Sequence, residues 1–480
     1  MMAQGARPSN ESVEWTLKPG GRVHFVGIGG IGLSAIARIL LEREYVVSGS
    51  DLQASPLTRE LAELGATVYQ SHEGQNIGDA DLVVVSSAIP EQNPEILEAR
   101  RSNIPVIKRG QMLRWLTRRK YTIAVAGTHG KTTTSAIIAL ILDSAGFEPT
   151  VVVGGIIPEL GSNAKAGKGQ YVVLEADEYD RTFLELTPQV AVVTSIEMDH
   201  PDCFTDLQDV SDAFRAFLAK VPADGLVLAC GDDPLVRRAL ESVTNAKIST
   251  YGLKEHVDWM ATDLRVNAAG GYDFRVLQKG ADRGRFQLSV PGLHNVSNAL
   301  AAIGVTHHLE LDQACARDVL RRFGGVERRF QVRGEAEGIT VVDDYAHHPS
   351  EIRATLAAAR QRYAGRPIAV IFQPHTYSRT RALLGEFASA FGDADRVIIT
   401  DIYPAREKDD LGVSARDLVG MMAHPQALYI ADLSEAGAWL SEHLSPGQVV
   451  ITMGAGDVWR VGEEFLAQLS SVEEQTDGQE

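Results

Sequence analysis

The stretch Gly127-Thr128-His129-Gly130-Lys131-Thr132-Thr133 carries the most committed chemistry in this 480-residue chain. Residues 121–125 before it are apolar enough for a buried strand, and residues 135–142 after it read as the start of a helix. A strand, a glycine loop and a helix in that order aim backbone N–H groups and a helix N-terminus at one spot, where phosphate oxygens can sit. Lys131 adds charge, and the Thr132 hydroxyl can ligate Mg2+. The loop departs from the common pattern in one place: Val125 stands where a glycine is usual. Two further strand ends carry polar groups. Residues 171–174 run into Glu175-Ala176-Asp177-Glu178, an oxygen source for a nucleotide-bound Mg2+ or, more plainly, a solvated acidic turn. Residues 189–194 run into Ser195-Ile196-Glu197-Met198-Asp199-His200-Pro201, where His200 is a candidate for metal or phosphate contact. Asn295 and Asn298 lie one helical turn apart ahead of an alanine-rich helix over 299–305, so both amides can face one partner. An amide, donor and acceptor at once, suits the edge of adenine.

These groups need elements to hold them. A first domain opens with a strand over 22–26, the glycine run Gly27-Ile28-Gly29-Gly30-Ile31-Gly32 and a helix over 33–41, with Asp51 beyond the next strand at 45–47. Glycines 27, 29 and 32 fit the dinucleotide-binding fingerprint, which seats a diphosphate on a helix N-terminus and places Asp51 near a sugar or base. A strand over 81–85 ends in Ser86-Ser87, placed to line the same crevice. Residues 232–287 change to short alternating segments, a β-rich insert or an extension of the sheet. After a hinge at 323–330, a second βα alternation has strands at 339–342, 368–372, 396–400 and 449–452, each ending in polar or glycine residues that share one rim of a parallel sheet. The polar tail 470–480 reads as disordered.

Bulk properties set the class. The length suggests about three domains, and 44% hydrophobic with 23% charged residues is ordinary globular composition. No apolar run approaches the ~20 residues that span a bilayer, and residues 1–20 have no signal-peptide core, so a cytoplasmic protein is expected. A net charge of −17 argues against a general nucleic-acid or membrane binder, yet leaves room for anionic substrates at local loops and arginines. Cys203, Cys230 and Cys315 lack metal-ligand spacing and read as reduced thiols.

Taken together, Gly-Thr-His-Gly-Lys-Thr-Thr, Glu-Ala-Asp-Glu, Glu-Met-Asp-His, His-Asn-Val-Ser-Asn, Asp-Tyr-Ala-His-His-Pro and Gln-Pro-His-Thr-Tyr-Ser-Arg-Thr resemble the Mur ligase family, in the same order and over nearly the whole chain. The resemblance implies an α/β protein of three domains. These are an N-terminal Rossmann-like domain for a UDP-sugar (20–118), a central P-loop-type ATPase domain (119–328) and a C-terminal Rossmann-like domain for an amino acid (329–472). With the N-terminal glycine run it implies ATP-driven amide formation between the lactoyl carboxylate of UDP-N-acetylmuramate and L-alanine, with ATP and two Mg2+ ions. A monomer or weak homodimer is expected, without nucleic-acid or membrane partners.

On that resemblance, the phosphate loop Gly127 to Thr133 binds ATP, with Lys131 on the β- and γ-phosphates. Thr132 and Glu175 hold one Mg2+, and His200 helps hold the second. Asn295 reads adenine beside Asn298, while Arg329 and Asp344 reach the nucleotide from the C-terminal domain. Gly27, Gly29, Gly30, Ile31, Gly32, Asp51, Ser86 and Ser87 bind the UDP-sugar. Tyr345, His347, His375 and Arg379 line the amino-acid pocket, with Arg379 able to take a carboxylate bidentately. Thr376 stands where some relatives have arginine and Gln111 where many have glutamate; no lysine between residues 200 and 219 is available for the carbamylation seen in sister ligases. The rival readings are a ligase adding a whole peptide to the same sugar nucleotide, a nicotinamide-dependent oxidoreductase and a non-catalytic nucleotide-binding module. The oxidoreductase explains Gly27 to Asp51 but leaves Lys131, Glu175 and His200 idle.

Overall fold

The computed structural model describes residues 15–409 and 411–477, which form two compact units meeting in sequence at Leu116 and Thr117. Residues 478–480 of the expected disordered tail lie outside the described residues, as do 1–14 of the N-terminal stretch. The rest of that tail corrects the expectation: the last helix, Trp459–Asp477, runs straight through it. Propagating a helix costs little once its first turns are packed, and Val461 and Phe465 anchor this one in the core.

The first unit is a five-stranded parallel sheet. Its strands are β1 (Arg22–Val26), β2 (Val46–Ser50), β3 (Thr67–Tyr69), β4 (Leu82–Val85) and β5 (Val106–Lys108), in the order β3-β2-β1-β4-β5. Strand order reverses beside β1, so β1 and β4 flank the crevice where an open α/β sheet takes its ligand. The helix Ile31–Glu42 covers one face through Leu33, Ile36, Ile39 and Leu40. Strand β2 is longer than its apolar run suggests because its serines are satisfied inside: Ser48 meets His24 Nδ1 at 2.9 Å, and Ser50 donates to the buried Glu95 at 2.6 Å.

The second unit holds two sheets. The ten strands of the first are β6 (Tyr121–Ala126), β7 (Thr150–Ile157), β8 (Ser162–Lys165), β9 (Tyr171–Glu175), β10 (Val190–Val193), β11 (Leu226–Cys230), β12 (Lys247–Gly252), β13 (Trp259–Val266), β14 (Tyr272–Gln278) and β15 (Ala281–Leu288). They lie in the order β15-β14-β13-β12-β11-β10-β6-β9-β7-β8, parallel from β7 to β13 and antiparallel at both ends. The alternating segments after residue 232 are therefore a sheet extension. Helices Lys131–Ser144 and Leu293–His308 pack Ile137, Ile141, Leu300 and Ile303 into a core with Ile123, Val173 and Leu228. Val125 is fully buried in that core, which gives the departure from the common loop pattern a packing cause.

The other sheet comprises β16 (Gln331–Ala336), β17 (Ile339–Asp344), β18 (Ile368–Phe372), β19 (Arg396–Ile399), β20 (Ala427–Tyr429) and β21 (Val449–Met453). Its order is β16-β17-β21-β18-β19-β20, with only β16 antiparallel, and its continuous Val/Ile strands are buried on both faces by two separate apolar clusters. The rim of polar strand ends faces the ten-stranded sheet, to which it is tied by the ion pairs Arg379–Asp199 and His129–Glu351 and the bond from Ser350 to Glu197. Among the described residues no helix is long and apolar enough to cross a membrane, and all three cysteines are free.

Candidate active site

The phosphate loop begins where β6 ends. Gly127 and Gly130 have φ of 136° and 78°, values that disfavour any side chain, and a Cβ on Gly130 would stand 2.5 Å from Asn298 Oδ1. The helix Lys131–Ser144 thus starts against the helix that carries both asparagines. Lys131 Nζ donates to Gly127 O (2.6 Å) and Thr128 O (3.2 Å) and pairs with both oxygens of Glu178 (2.8 and 3.0 Å). Burial alone would lower its pKa, but Glu178, Asp177 and Glu175 outweigh burial and push it up, so the ammonium stays charged. Thr132 Oγ1 donates to Glu175 Oε2 (2.8 Å), which also accepts from Gly154 N (2.8 Å). A hydroxyl and a carboxylate so juxtaposed are hard oxygen donors of the kind Mg2+ takes beside a phosphate loop.

A cavity of about 330 Å³ opens in front of this loop. Gly130, Thr132, Thr133, Asn295 and Asn298 form one wall, Arg329, Asp344 and Glu351 the other. The two asparagines face each other rather than standing free: Asn298 Nδ2 donates to Asn295 Oδ1 (3.1 Å), and Asn295 Nδ2 to Pro291 O (2.7 Å). Asn295 is not the helix cap, since Gly292 occupies that place. Asp344 accepts from Phe330 N (2.8 Å) and Ala346 N (2.7 Å), and burial pushes its carboxyl up to about 6 against the pull of Arg329. Arg329 lies over the Tyr345 ring and reaches Glu351 at 3.5 Å.

Glu351, in the first turn of the helix Pro349–Arg362, is the hub that the motifs alone did not single out. Its Oε1 meets His129 Nδ1 (3.2 Å) and its Oε2 accepts from His347 N (3.0 Å). Burial disfavours its charge, but His347, His129 and Arg329 together hold it well below the usual carboxylate range. His129 shows the converse. Burial would lower its pKa, yet hydrogen bonding and charge from Glu197 and Glu351 raise it to about 9, with its Nε2 3.6 Å from Glu197.

At the far side, Arg379 is buried with its Nε on Asp199 Oδ1 (2.8 Å) and its Nη1 on His375 Nδ1 (3.1 Å). One edge of the guanidinium is therefore already engaged, which narrows the bidentate grip expected of it. Asp199 also accepts from His200 N (2.7 Å); burial works against its charge, but Arg379 and His200 hold it far below the ordinary range. His200 itself has φ of 54° and lies edge-on to Tyr179, with ring centroids 5.0 Å apart. His347 and His375 are 5.9 Å apart between ring centroids, and His375 stacks on Tyr403. Burial lowers both, His347 to about 4 and His375 to about 3, so both are neutral imidazoles at neutral pH. Tyr345 completes this group against His347. Asp199 and Glu197 belong to the polar run that pointed to His200; their signal was a cluster of acids at the end of a fully buried strand.

In the first unit, Gly27 has φ of 85° and packs beside Ser86, while Gly30 caps the helix that starts at Ile31. Asp51 does not stand free for a ribose: its Oδ2 accepts from Gly29 N (3.0 Å) and its Oδ1 from Gln53 N (3.2 Å). Ser86 accepts from Ala88 N (3.3 Å), closing the turn that carries Ser87. Gly32 faces the side chain of Arg109, a cation beside the loop that the fingerprint did not name. Gln111 accepts from Lys108 N (2.9 Å), an ordinary helix-start contact.

Three family models match the chain. Residues 22–121 match "Mur ligase family, catalytic domain", residues 125–306 "Mur ligase middle domain" and residues 328–456 "Mur ligase, glutamate ligase domain". A UDP-N-acetylmuramate--L-alanine ligase of Geobacter sp. (strain M21) is 47% identical over 94% of this chain and 98% of its own length. One of Solibacter usitatus is 48% identical over 93% and 95%. Among solved structures, a UDP-N-acetylmuramate-alanine ligase of Thermotoga maritima superposes with a TM-score of 0.81 at 31% identity, covering 94% of this chain and 99% of that one.

Proposed function

Because the chain belongs to the Mur ligase family, we propose that it joins L-alanine to the lactoyl carboxylate of UDP-N-acetylmuramate at the expense of ATP, in the cytoplasm and as a step of peptidoglycan synthesis. The observation that carries a ligase reading is the cavity itself, which brings Gly130, Thr132 and the two asparagines opposite Arg329 and Asp344, with Lys131 next to Gly130 in the same loop. The choice of L-alanine is supported by relatives of that name, 45–48% identical over more than nine-tenths of the chain.

A carboxylate is a poor acylating agent, so its oxygen first attacks the γ-phosphorus and the bond to ADP breaks, giving an acyl phosphate. The neutral amine of alanine then attacks the acyl carbon, and phosphate leaves with its electron pair. Catalysis of both steps is charge control and positioning. Lys131 neutralises the phosphoryl oxygens, and the backbone N–H groups of 127–133 orient them. Thr132 and Glu175 would hold one Mg2+ and His200 would help hold a second, such ions supplying charge that stabilises a transferring phosphoryl group. Asn295 and Asn298 bind adenine, and Arg329 and Asp344 close on the nucleotide from the C-terminal side. Arg379 offers its remaining N–H groups to the alanine carboxylate among His347, His375 and Tyr345, in a pocket whose neutral imidazoles add no positive charge beside the incoming amine. In the first unit, the loop from Gly27 to Gly32, with Ser86 and Ser87, holds the diphosphate of the UDP-sugar, and Asp51 braces that loop.

Phosphate release, measured with UDP-N-acetylmuramate and a panel of amino acids and peptides, tests this reading. L-Alanine is expected to give the largest stimulation. Stimulation by a tripeptide alone would assign the chain to peptide addition, and ATP binding without any turnover would reduce it to a binding module.

A further inference from the structure

Two histidines and a glutamate, apart from the Thr132–Glu175 pair, converge where the phosphate loop, the segment after β10 and the start of the helix Pro349–Arg362 meet. Glu197 Oε2 lies 3.6 Å from His129 Nε2 and 3.6 Å from His348 Nδ1, and one ligand atom from each residue falls within 4.8 Å of the other two. Ligand atoms at 2.0–2.1 Å from a tetrahedral ion stand roughly 3.4 Å apart. Small side-chain rotations therefore close the trio on a common centre.

The outer contacts orient each ligand for that task. His129 turns its Nδ1 to Glu351 Oε1 (3.2 Å), and its buried Nε2 has only the long 3.6 Å approach of Glu197 Oε2 among the described residues. His348 Nε2 faces Met198 O (3.3 Å), which can only accept, so the proton sits on Nε2 and the lone pair on Nδ1. The one competitor for that lone pair is a long 3.3 Å contact from Ser350 N. Ser350 Oγ donates to Glu197 Oε2 (2.6 Å) and fixes the carboxylate. A carboxylate or carbonyl behind each imidazole is the arrangement that aims metal-binding histidines.

We propose that His129, Glu197 and His348 form a binding site for a divalent transition ion of the Zn2+ class, separate from the Mg2+ of the nucleotide. Two imidazoles and one carboxylate with a fourth position for water are a Zn2+ donor set, whereas Mg2+ takes a predominantly oxygen set and keeps its waters, so a trio with two nitrogens does not suit it. The ion takes the lone pair of His129 Nε2 in place of a proton, which leaves to solvent. Bound there, it clamps the phosphate loop at His129, the residue before Gly130, to the helix of the C-terminal sheet that His348 caps.

The test uses the full, reduced chain without nucleotide. Zn2+ is titrated against a chromophoric chelator, and Co2+ serves as the spectroscopic probe, in the presence of millimolar Mg2+. One tight equivalent is expected, with a Co2+ spectrum free of thiolate charge transfer. Glu197→Gln and His348→Asn, the second keeping a residue that can cap the helix, should each weaken binding by at least about tenfold with an unchanged circular dichroism spectrum. His424→Gln, remote from the trio, should bind as the parent does. The proposal is overturned if no tight equivalent exists, if both variants bind as the parent does, or if the Co2+ spectrum shows thiolate from Cys203, Cys230 or Cys315.

Discussion

Replacing Asp199 with Asn should destabilise the second unit far more than a surface substitution would, because it strands a buried guanidinium. Arg379 and Asp199 are only 5% and 7% exposed, with Nε to Oδ1 at 2.8 Å. Removing one partner of a buried pair costs roughly 3–5 kcal/mol, against 0.2–1 for an exposed one. The same Oδ1 also accepts from His200 N at 2.7 Å, a bond that an Asn oxygen can keep. Asp199→Asn therefore belongs near the lower bound, about 3 kcal/mol, and Asp199→Ala near the upper, about 5, the difference being one stranded N–H. Arg379→Met combined with Asp199→Asn removes the uncompensated charge and should recover at least about 2 kcal/mol of the summed single losses. Urea unfolding followed by far-UV circular dichroism, run as a double-mutant cycle, measures each quantity. A loss under about 0.5 kcal/mol for Asp199→Asn, or single effects that simply add, would refute the reasoning.

Three further outcomes follow from the same geometry. His129 is raised from 6.5 to about 9 in the folded protein, so its contribution to stability is complete below pH 6.5 and is lost as pH rises through 9. That rise corresponds to about 3 kcal/mol, and the difference in urea midpoints between the parent and His129→Gln should shrink correspondingly between those pH values. Gly130→Ala puts a Cβ at φ of 78° and 2.5 Å from Asn298 Oδ1; a loss of roughly 1–2 kcal/mol from backbone strain, and of ATP affinity by calorimetry, is expected. Glu175→Gln keeps the bond from Thr132 but removes a charged oxygen, so phosphate release should need about ten- to a hundredfold more Mg2+; an unchanged Mg2+ requirement would remove Glu175 from the metal site.

The strands were legible because their burial is two-sided: β4, β10 and β18 are unbroken apolar runs, β21 is broken only by Thr452, and no other local structure suits them. The phosphate loop was legible because only glycine tolerates its backbone at Gly127 and Gly130. Strand β2 was partly hidden, since Ser48 and Ser50 are polar by type, the first half-buried and the second buried, and are satisfied by His24 and Glu95, partners distant in sequence. Glu351 escaped for the same reason, and so did the partners of Glu178 and Glu197, although both stand in runs that the sequence singles out. A glutamate in a helix or loop is ordinarily solvated, and only the fold brings Glu351 to His129, 222 positions away. Pairings of that kind are a property of how the two sheets of the second unit dock, and no local period encodes them.

Those carboxylates also explain how a chain of net charge −17 can serve anionic substrates. Each cation assigned to phosphate or carboxylate already has a protein carboxylate for company: Lys131 has Glu178, Arg329 has Glu351 and Arg379 has Asp199. Burying a bare ammonium or guanidinium would cost several kcal/mol, and pairing offsets that cost before any substrate arrives. Binding ATP then exchanges one anion for another at Lys131, and the alanine carboxylate joins Asp199 at Arg379, so each substrate meets a preset cation; long-range attraction contributes little and local geometry decides. Selectivity on this view lies in which anion fits the exchange, and the carboxylate displaced from Lys131 is itself one residue from Asp177 and three from Glu175, beside the oxygens assigned to Mg2+.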